Sequence, residues 1–335
     1  MAVSDTIDVT DMITGTGPFG PSELRQLCEA LAEGGEMFRS LRLAVRDLEA
    51  AGDRSPASTV RLGVGQYLLG RFADAIDTLK AADGSAMALY YLGRAQAAAE
   101  AFADAISSFR GAGRAGYDKA ACEAEAAACL RKSGQLDEAR EALDAIAGEA
   151  EASADYWCQL GLLAAARGDD LPVTIDALER AIAVDPLHSE SLFELGVLND
   201  RLGNDDEARD CYRDSLKRYP ATVGALLNLG LLHEDRDEFS EAQRCYNRDS
   251  GSLSQHPRAQ LFLKDSSRPA ICNSTSSRSG SGTSWSRRWG CLSATSSSRC
   301  GAATACRRWG FTRWAIWPGP LSRRSSRAKT LARPA

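Results

Sequence analysis

The chain has 335 residues, of which 44% are hydrophobic and 25% are charged, a composition typical of globular proteins that bury a sizeable core. No stretch reaches the roughly 18 consecutive apolar residues of a membrane-spanning helix, and the N-terminus lacks the basic and apolar regions of a secretory leader. We therefore expect a cytoplasmic protein.

The net charge of −5 combines two unlike segments. Residues 266–335 contain 12 Arg, 1 Lys and no Asp or Glu, which gives a charge of +13. Residues 1–265 hold 27 basic and 45 acidic side chains, which gives a charge of −18. The two segments therefore need separate explanations.

Residues 1–20 are rich in Gly, Thr and Asp, and we expect a flexible N-terminus there. The segment from Gly15 to Gly20 formally matches the Gly-x-Gly-x-x-Gly fingerprint of dinucleotide-binding proteins. That fingerprint works only between a strand and a helix of a βαβ unit, and helical patterns follow here. A turn before a helix is the favoured interpretation.

Residues 21–52 are predicted to form a degenerate first helical hairpin. Pro21 is a typical helix start, and helical spacing relates the apolar residues Leu24, Leu27, Cys28 and Leu31. A second helix is predicted from about Glu36 to Ala51, with these residues facing inward: Phe38, Leu41, Val45 and Leu48.

Residues 53–248 contain a repeating Leu-Gly mark. It occurs at Leu62-Gly63, Leu92-Gly93, Leu160-Gly161, Leu195-Gly196 and Leu229-Gly230, and it decays to Ala126-Ala127 in the third unit. The successive intervals are 30, 34, 34, 35 and 34 residues. Twelve residues after most marks stands a small residue, namely Ala75, Ala105, Ala139, Ala208 and Ala242. In the unit with Trp157, Pro172 and one extra residue precede Ala181.

The unit from Ser189 to Thr222 shows the whole pattern, with Leu192, Leu195 and Gly196 in a first helix, Ala208 and Tyr212 in a second, and Pro220 at the exit. This series resembles the tetratricopeptide repeat, a helix-turn-helix unit of 34 residues. Asn199 and Ser215 depart from the family's usual aromatic residue and Ala. The resemblance implies an all-α protein, an α-solenoid of six hairpins after the leading pair, followed by a disordered C-terminal tail.

The resemblance also implies a non-catalytic scaffold for protein–protein interaction, which binds a peptide or helix in a concave groove formed by the first helices. The family's groove positions fall on Tyr90, Arg94, Cys158, Leu162, Phe193, Val197, Asp200, Leu227, Leu231 and Glu234. These residues would suit a ligand with some apolar and some basic character. Alternatively, Phe193 and Leu227 pack against the next hairpin, because core and groove residues share helical spacing.

Catalytic and metal-binding signals are few. The three histidines, His188, His233 and His256, lie beside predicted helix ends or acidic neighbours, with no Cys or His at metal-ligand spacing. The sequence shows no phosphate-binding loop, nucleophile elbow or zinc-binding helix motif. We therefore expect structural or solvated histidines and no enzyme activity, cofactor or metal.

The cysteines form no Cys-x-x-Cys pair. We interpret Cys122, Cys129, Cys158, Cys211 and Cys245 as small core residues of a protein from a reducing compartment.

Residues 249–265 disturb the end of the sixth repeat. Asp249 to Ser254 stand where the pattern predicts apolar residues, Tyr and Pro, and codons read one base later permit Ile-Leu-Ala-Ala-Tyr-Pro. Helical sequence returns from His256 to Asp265. We interpret the disturbance as a short frameshift. It predicts weaker stacking at this end, and hence faster hydrogen exchange at Leu226 to Leu232 than at Leu192 to Leu198.

Residues 266–335 form a basic, low-complexity tail with five of the six Trp and abundant Ser. A GC-rich gene read out of frame explains this composition. The alternative is a genuine arm for nucleic acid, in which cations neutralise phosphates and indoles stack on bases.

Codons for Arg308 to Trp317, read in the shifted frame, permit Met-Gly-Ile-His-Thr-Leu-Gly-Asp-Leu. This string resembles the helix-hairpin-helix in the C-terminal domain of the alpha chain of RNA polymerase. The resemblance implies an alternative function: a transcription-associated protein whose intact form joins the repeats to a DNA-binding domain. RNA polymerase or DNA would then be partners of a frame-repaired form only, since the DNA-binding residues are absent from the chain as it stands.

Overall fold

The computed structural model describes residues 8–247, apart from 33, 53–54, 149 and 221. The described residues form fifteen helices and no strand. The helices are α1 Val9–Thr14, α2 Pro21–Ala32, α3 Gly35–Ala51, α4 Pro56–Leu68, α5 Phe72–Lys80, α6 Ala86–Ala98, α7 Phe102–Arg114, α8 Lys119–Lys132, α9 Leu136–Asp144, α10 Ala154–Arg167, α11 Leu171–Val184, α12 Ser189–Leu202, α13 Asp205–Ser215, α14 Val223–Asp235 and α15 Phe239–Asn247. None of them combines the length and the apolar character that crossing a bilayer requires.

Six consecutive helix pairs run from α4/α5 to α14/α15, and each helix contacts mainly its neighbours in chain order. This arrangement is an α-solenoid, in which each pair buries its apolar stripe against the next. The all-α solenoid predicted from the sequence is confirmed for these residues. The predictions for 249–265 and 266–335, including the polymerase-like string and His256, lie outside the described residues.

The glycine of the Leu-Gly mark lets the second helix of a pair approach the first. A Cβ atom on Gly196 would lie 2.7 Å from Cε1 of Tyr212, whose side chain is fully buried. A Cβ on Gly93 would lie 2.9 Å from Cδ1 of Phe109 in the same way. The aromatic residue follows the glycine by 16 positions in both pairs. The corresponding residue is a leucine both after Gly63 and where Ala127 replaces the glycine.

The small residues predicted in the second helices are all fully or almost fully buried, with at most 1% of their surface exposed: Ala75, Ala105, Ala139, Ala181, Ala208 and Ala242. Pro172 lies in the first turn of α11, where its missing N–H removes no helical hydrogen bond. The unit with Trp157 therefore keeps the same architecture despite its longer turn.

Helices α2 and α3 form the leading pair. Helix α2 begins at Pro21, and the Gly20 N–H donates to Oε2 of Glu23 at 2.8 Å. The apolar residues expected to face inward are buried, except that Cys28 is half-buried. They join one core cluster with residues of α1 and α4.

The expected flexible N-terminus is wrong for residues 8–14, because they form helix α1 and its N-cap. The carboxylate of Asp8 caps this helix, accepting from the N–H groups of Thr10 at 2.8 Å and Asp11 at 3.2 Å. Val9 and Ile13 lie one helical turn apart and are 2% and 0% exposed in the core that α1 shares with α3 and α4. Gly15 to Gly20 connect α1 to α2 with no strand in the described chain before them, as the favoured interpretation of this segment predicted.

Candidate functional site

The ten residues predicted to line the groove divide into two groups. Tyr90, Cys158, Leu162 and Leu227 are buried, with 7%, 0%, 7% and 7% of their surface exposed. The other six are half-buried: Arg94, Phe193, Val197, Asp200, Leu231 and Glu234. Only the second group offers surface to a ligand in this conformation.

Phe193 and Leu227 have the environment of packing residues. A Cβ on Gly224, in α14, would lie 2.7 Å from Cζ of Phe193, and the Phe193 ring lies 6.0 Å from the ring of Tyr212. Phe193 therefore fills the space between α12 and the following pair. This packing agrees with the alternative given in the sequence analysis, that Phe193 and Leu227 pack against the next hairpin.

Polar side chains that the sequence reasoning missed lie on the same first helices. Glu125 is on α8, Asp155 on α10, and Glu190 and Glu194 on α12. Together with Arg94 of α6 they form a surface that we call the inner face. Three of the carboxylates are partly buried, and Asp155 is more exposed.

The repeat contained a signal for part of this surface. The residue directly before the repeat mark is polar in three successive units, namely Glu125, Gln159 and Glu194. These positions are 34 and 35 residues apart. A polar residue recurring at one position of a helix is the pattern of a shared face.

Hydrogen bonds and ion pairs connect successive first helices along the inner face. Arg94 Nη1 lies 3.4 Å from Oε1 of Glu125 on the next first helix. Further along, Arg131 Nη2 donates to Oε1 of Gln159 at 3.2 Å, and Gln159 Nε2 donates to Oε2 of Glu190 at 3.0 Å. Polar contacts therefore link α6 to α8, α8 to α10 and α10 to α12.

His188 joins these contacts as a structural residue, as the sequence predicted. Its Nδ1 accepts from the N–H of Ser191 at 3.2 Å and so caps α12, while its Nε2 lies 2.9 Å from Oδ1 of Asp155. Burial alone would lower the pKa of His188, but the hydrogen bond and charge of Asp155 raise it above its ordinary value. Burial alone would raise the pKa of Asp155, but His188 holds it below its ordinary value. With Nδ1 accepting from Ser191, the imidazole is neutral and donates its Nε2–H to the Asp155 carboxylate; protonation would strengthen the contact with Asp155 and remove the cap.

Glu194 lacks such a partner, since it makes no hydrogen bond or ion pair with the described residues. Burial raises the pKa of its carboxyl to about 7, and the carboxylate of Glu190 contributes in the same direction, while the more distant charges of Arg131, Lys132 and Arg201 oppose the rise only in part. A cation placed beside Glu194 would stabilise its ionised form.

Aromatic side chains lie at the N-terminal end of the inner face. The ring of Tyr91 lies 5.6 Å from those of Tyr67 and Tyr90, and the ring of Tyr90 stacks on that of Tyr117 at 4.1 Å. The guanidinium of Arg94 lies 5.7 Å from the centre of the Tyr67 ring. The surface therefore changes from aromatic at α4 and α6 to acidic at α10 and α12.

Within the described residues no group of His, Cys, Asp and Glu is arranged to hold a metal ion. His233 pairs with Glu238, its Nδ1 lying 2.6 Å from the carboxylate. Among the cysteines predicted as core residues, Cys122, Cys129 and Cys158 are buried, whereas Cys211 and Cys245 are only half-buried. Burial raises the pKa of the Cys129 thiol to about 12, so that this thiol is not a nucleophile near neutral pH.

Comparison with known proteins agrees with the repeat architecture. The family model of the tetratricopeptide repeat matches residues 170–221 and 201–248. A search of curated proteins found no significant match.

Several solved structures are similar. A tetratricopeptide repeat protein from Parabacteroides merdae is 15% identical, with 68% of this chain and 90% of that chain covered and a TM-score of 0.46. A chain of the APC/C hetero-tetramer Cut9-Hcn1 is 16% identical, with 75% and 50% covered and a TM-score of 0.48. The protein MamA is 21% identical, with 52% and 95% covered and a TM-score of 0.33.

All three TM-scores are below 0.5, so the assignment of the repeat depends on the family model and on the helix pairs of the chain itself. The matched segments comprise α11 to α15, the part in which the sequence pattern is most complete. The family model therefore supports tetratricopeptide repeats at residues 170–248, within a longer solenoid of helix pairs.

Proposed function

We propose that the inner face binds an extended segment of another protein that carries basic and apolar side chains, and that the chain is a non-catalytic scaffold. Solenoids of this kind present a long surface for protein–protein interaction. The observation that carries the proposal is the partly buried carboxyl group of Glu194, which lies near Glu190 and is unpaired among the described residues.

A basic side chain of a partner would relieve the unfavourable environment of Glu194. The carboxylate would gain a charge-assisted hydrogen bond, which is stronger than one between neutral groups. The aromatic rings near Arg94 would accept apolar or aromatic side chains of the same segment. The chemistry of the surface therefore specifies the partner by side-chain type.

The test compares two double variants of the full chain in affinity purification from an extract of the organism that encodes it. Glu190→Gln with Glu194→Gln removes two negative charges from the inner face. Glu179→Gln with Glu207→Gln removes two from exposed positions of the second helices. Quantitative mass spectrometry compares the captured proteins.

We expect at least one protein to be retained by the wild type and by the control variant but lost from the inner-face variant. Loss of a charge-assisted contact corresponds to about tenfold weaker binding or more. Identical captured sets for the two double variants would contradict the proposal.

A further inference from the structure

The turn between α13 and α14 contacts helices at the other end of the solenoid. The hydroxyl of Tyr219 donates to the backbone carbonyl of Leu68, 151 residues earlier in the chain. The ring of Tyr219 lies 6.4 Å from the ring of Phe38 in α3 and packs against the N-terminal core cluster. The solenoid therefore curves far enough for the turn between its fifth and sixth pairs to touch α3 and α4.

The surroundings of Tyr219 are those of an occupied pocket. Burial raises the pKa of its phenol, and Cys28 of α2 and Tyr67 of α4 are near enough to add to the effect. The half-buried ring therefore lies against residues of α2, α3 and α4. The pocket accepts an aromatic ring, and the Leu68 carbonyl accepts its hydroxyl.

Arg218, the residue before Tyr219, also contacts another part of the chain. The guanidinium of Arg218 forms an ion pair with the carboxylate of Asp185, in the turn before α12. Its charge also contributes to lowering the pKa of Asp155 on the inner face. Arg218 therefore contacts an acidic side chain, and Tyr219, the next residue, contacts an aromatic ring.

We propose that Arg218 and Tyr219 act as an internal ligand, and that a partner binds this surface by presenting its own basic residue followed by an aromatic residue. We call residues 216–220 the latch turn. This inference rests on the proposed function, for which it specifies the partner sequence and the competition that regulates binding. Asp185 receives the basic side chain of the latch turn, and the residues around Leu68 and Phe38 receive its aromatic side chain.

Because the latch turn is part of the same chain, it competes at high effective concentration. A partner binds only the fraction of molecules in which Tyr219 is released, so its apparent affinity is reduced by that fraction. If the latch is closed in about nine molecules of ten, its removal raises the apparent affinity about tenfold.

The test uses the full chain and a fluorescent synthetic peptide with the sequence of residues 214–222, Asp-Ser-Leu-Lys-Arg-Tyr-Pro-Ala-Thr. Fluorescence polarisation measures its binding to the wild type, to Tyr219→Ala and to Lys217→Ala. Lys217 is the matched control, since it lies in the same turn but its amino group pairs with Asp214 at the end of α13, at 2.7 Å, and not with α3 or α4. A second peptide with Ala in place of Tyr tests the role of the ring.

We expect the peptide to bind Tyr219→Ala about tenfold more tightly than the wild type or Lys217→Ala, and the peptide without Tyr to bind all three weakly. Equal binding of the first peptide to all three proteins would overturn the proposal. This result does not depend on capturing a natural partner, so failure of the latch and failure of the proposed function remain distinguishable.

A photocrosslinking residue at position 219 of the full chain tests the closed state independently of the stability of Tyr219→Ala. Crosslinks to peptides containing Phe38 or Leu68 are expected, and excess synthetic peptide should reduce them. Crosslinks that never reach α3 or α4 would overturn the proposal.

Discussion

Replacing Glu194 by Gln should make the stability of α12 less sensitive to pH. The pKa of this carboxyl is about 7 in the folded chain, against an ordinary value of 4.5. Between these two values the folded state holds a proton that the unfolded state has released, so the free energy of unfolding falls as pH rises from 4.5 to about 7. Gln cannot ionise and removes this loss.

The size of the effect follows from the shift. The difference between the two pKa values corresponds to about 3 kcal/mol, and solvent screening of this half-buried group reduces the expected effect to about 1–2 kcal/mol. The variant should therefore be more stable than the wild type by about 1–2 kcal/mol at about pH 8, and equally stable at about pH 4.

Hydrogen exchange of the α12 amides at both pH values is the appropriate assay, because the pairs of a solenoid do not open as one unit. Glu179→Gln is the control, since this glutamate is exposed on α11. Equal protection of wild type and Glu194→Gln at the higher pH, or a gain that is the same at both pH values, would refute the electrostatic reasoning.

Three further predictions concern the fold. Gly196→Ala should destabilise the chain by about 1–3 kcal/mol in thermal unfolding, because its Cβ would lie 2.7 Å from the buried Tyr212 ring. The control Gly111→Ala should not, since its Cβ would make only an ordinary contact at 3.6 Å. Equal effects of the two substitutions would contradict the packing argument. Ile13→Ala should cost about 2–3 kcal/mol and increase proteolysis before α2, since Ile13 is fully buried; unchanged melting and proteolysis would contradict the assignment of α1 to the core. Amides at the centre of α14 should exchange faster than those of α12, as the disturbed end of the sixth repeat predicts, and equal rates would show that stacking there is intact.

Local sequence predicted the helix pairs because each pair needs the same contacts. The close approach of Gly196 to Tyr212 requires a residue without a side chain at one fixed position and a large residue at another. That requirement repeats along the chain and is therefore visible as a period. Helix α1 was missed because six residues contain only two core positions, Val9 and Ile13, which are too few to show a period.

The inner face was only partly predictable. Glu125 and Glu194 stand at the same repeat position. Whether each carboxylate can bind a ligand depends on its burial and on whether a side chain such as Arg94 already pairs with it. The contact of Tyr219 with Leu68 depends on the curvature of the whole array. Curvature is the sum of small rotations between neighbouring pairs, and no local pattern records that sum.

The central claim, that the inner face binds a segment of another protein, is tested most directly by photocrosslinking in living cells. A crosslinking residue is placed at one of two inner positions, Asp200 on α12 or Leu231 on α14, which are half-buried predicted groove residues that continue the inner face, or at the exposed Glu179 on a second helix. We predict that one segment of one protein crosslinks to both inner positions and not to position 179. Crosslinks confined to position 179, or none at the two inner positions, would contradict the account.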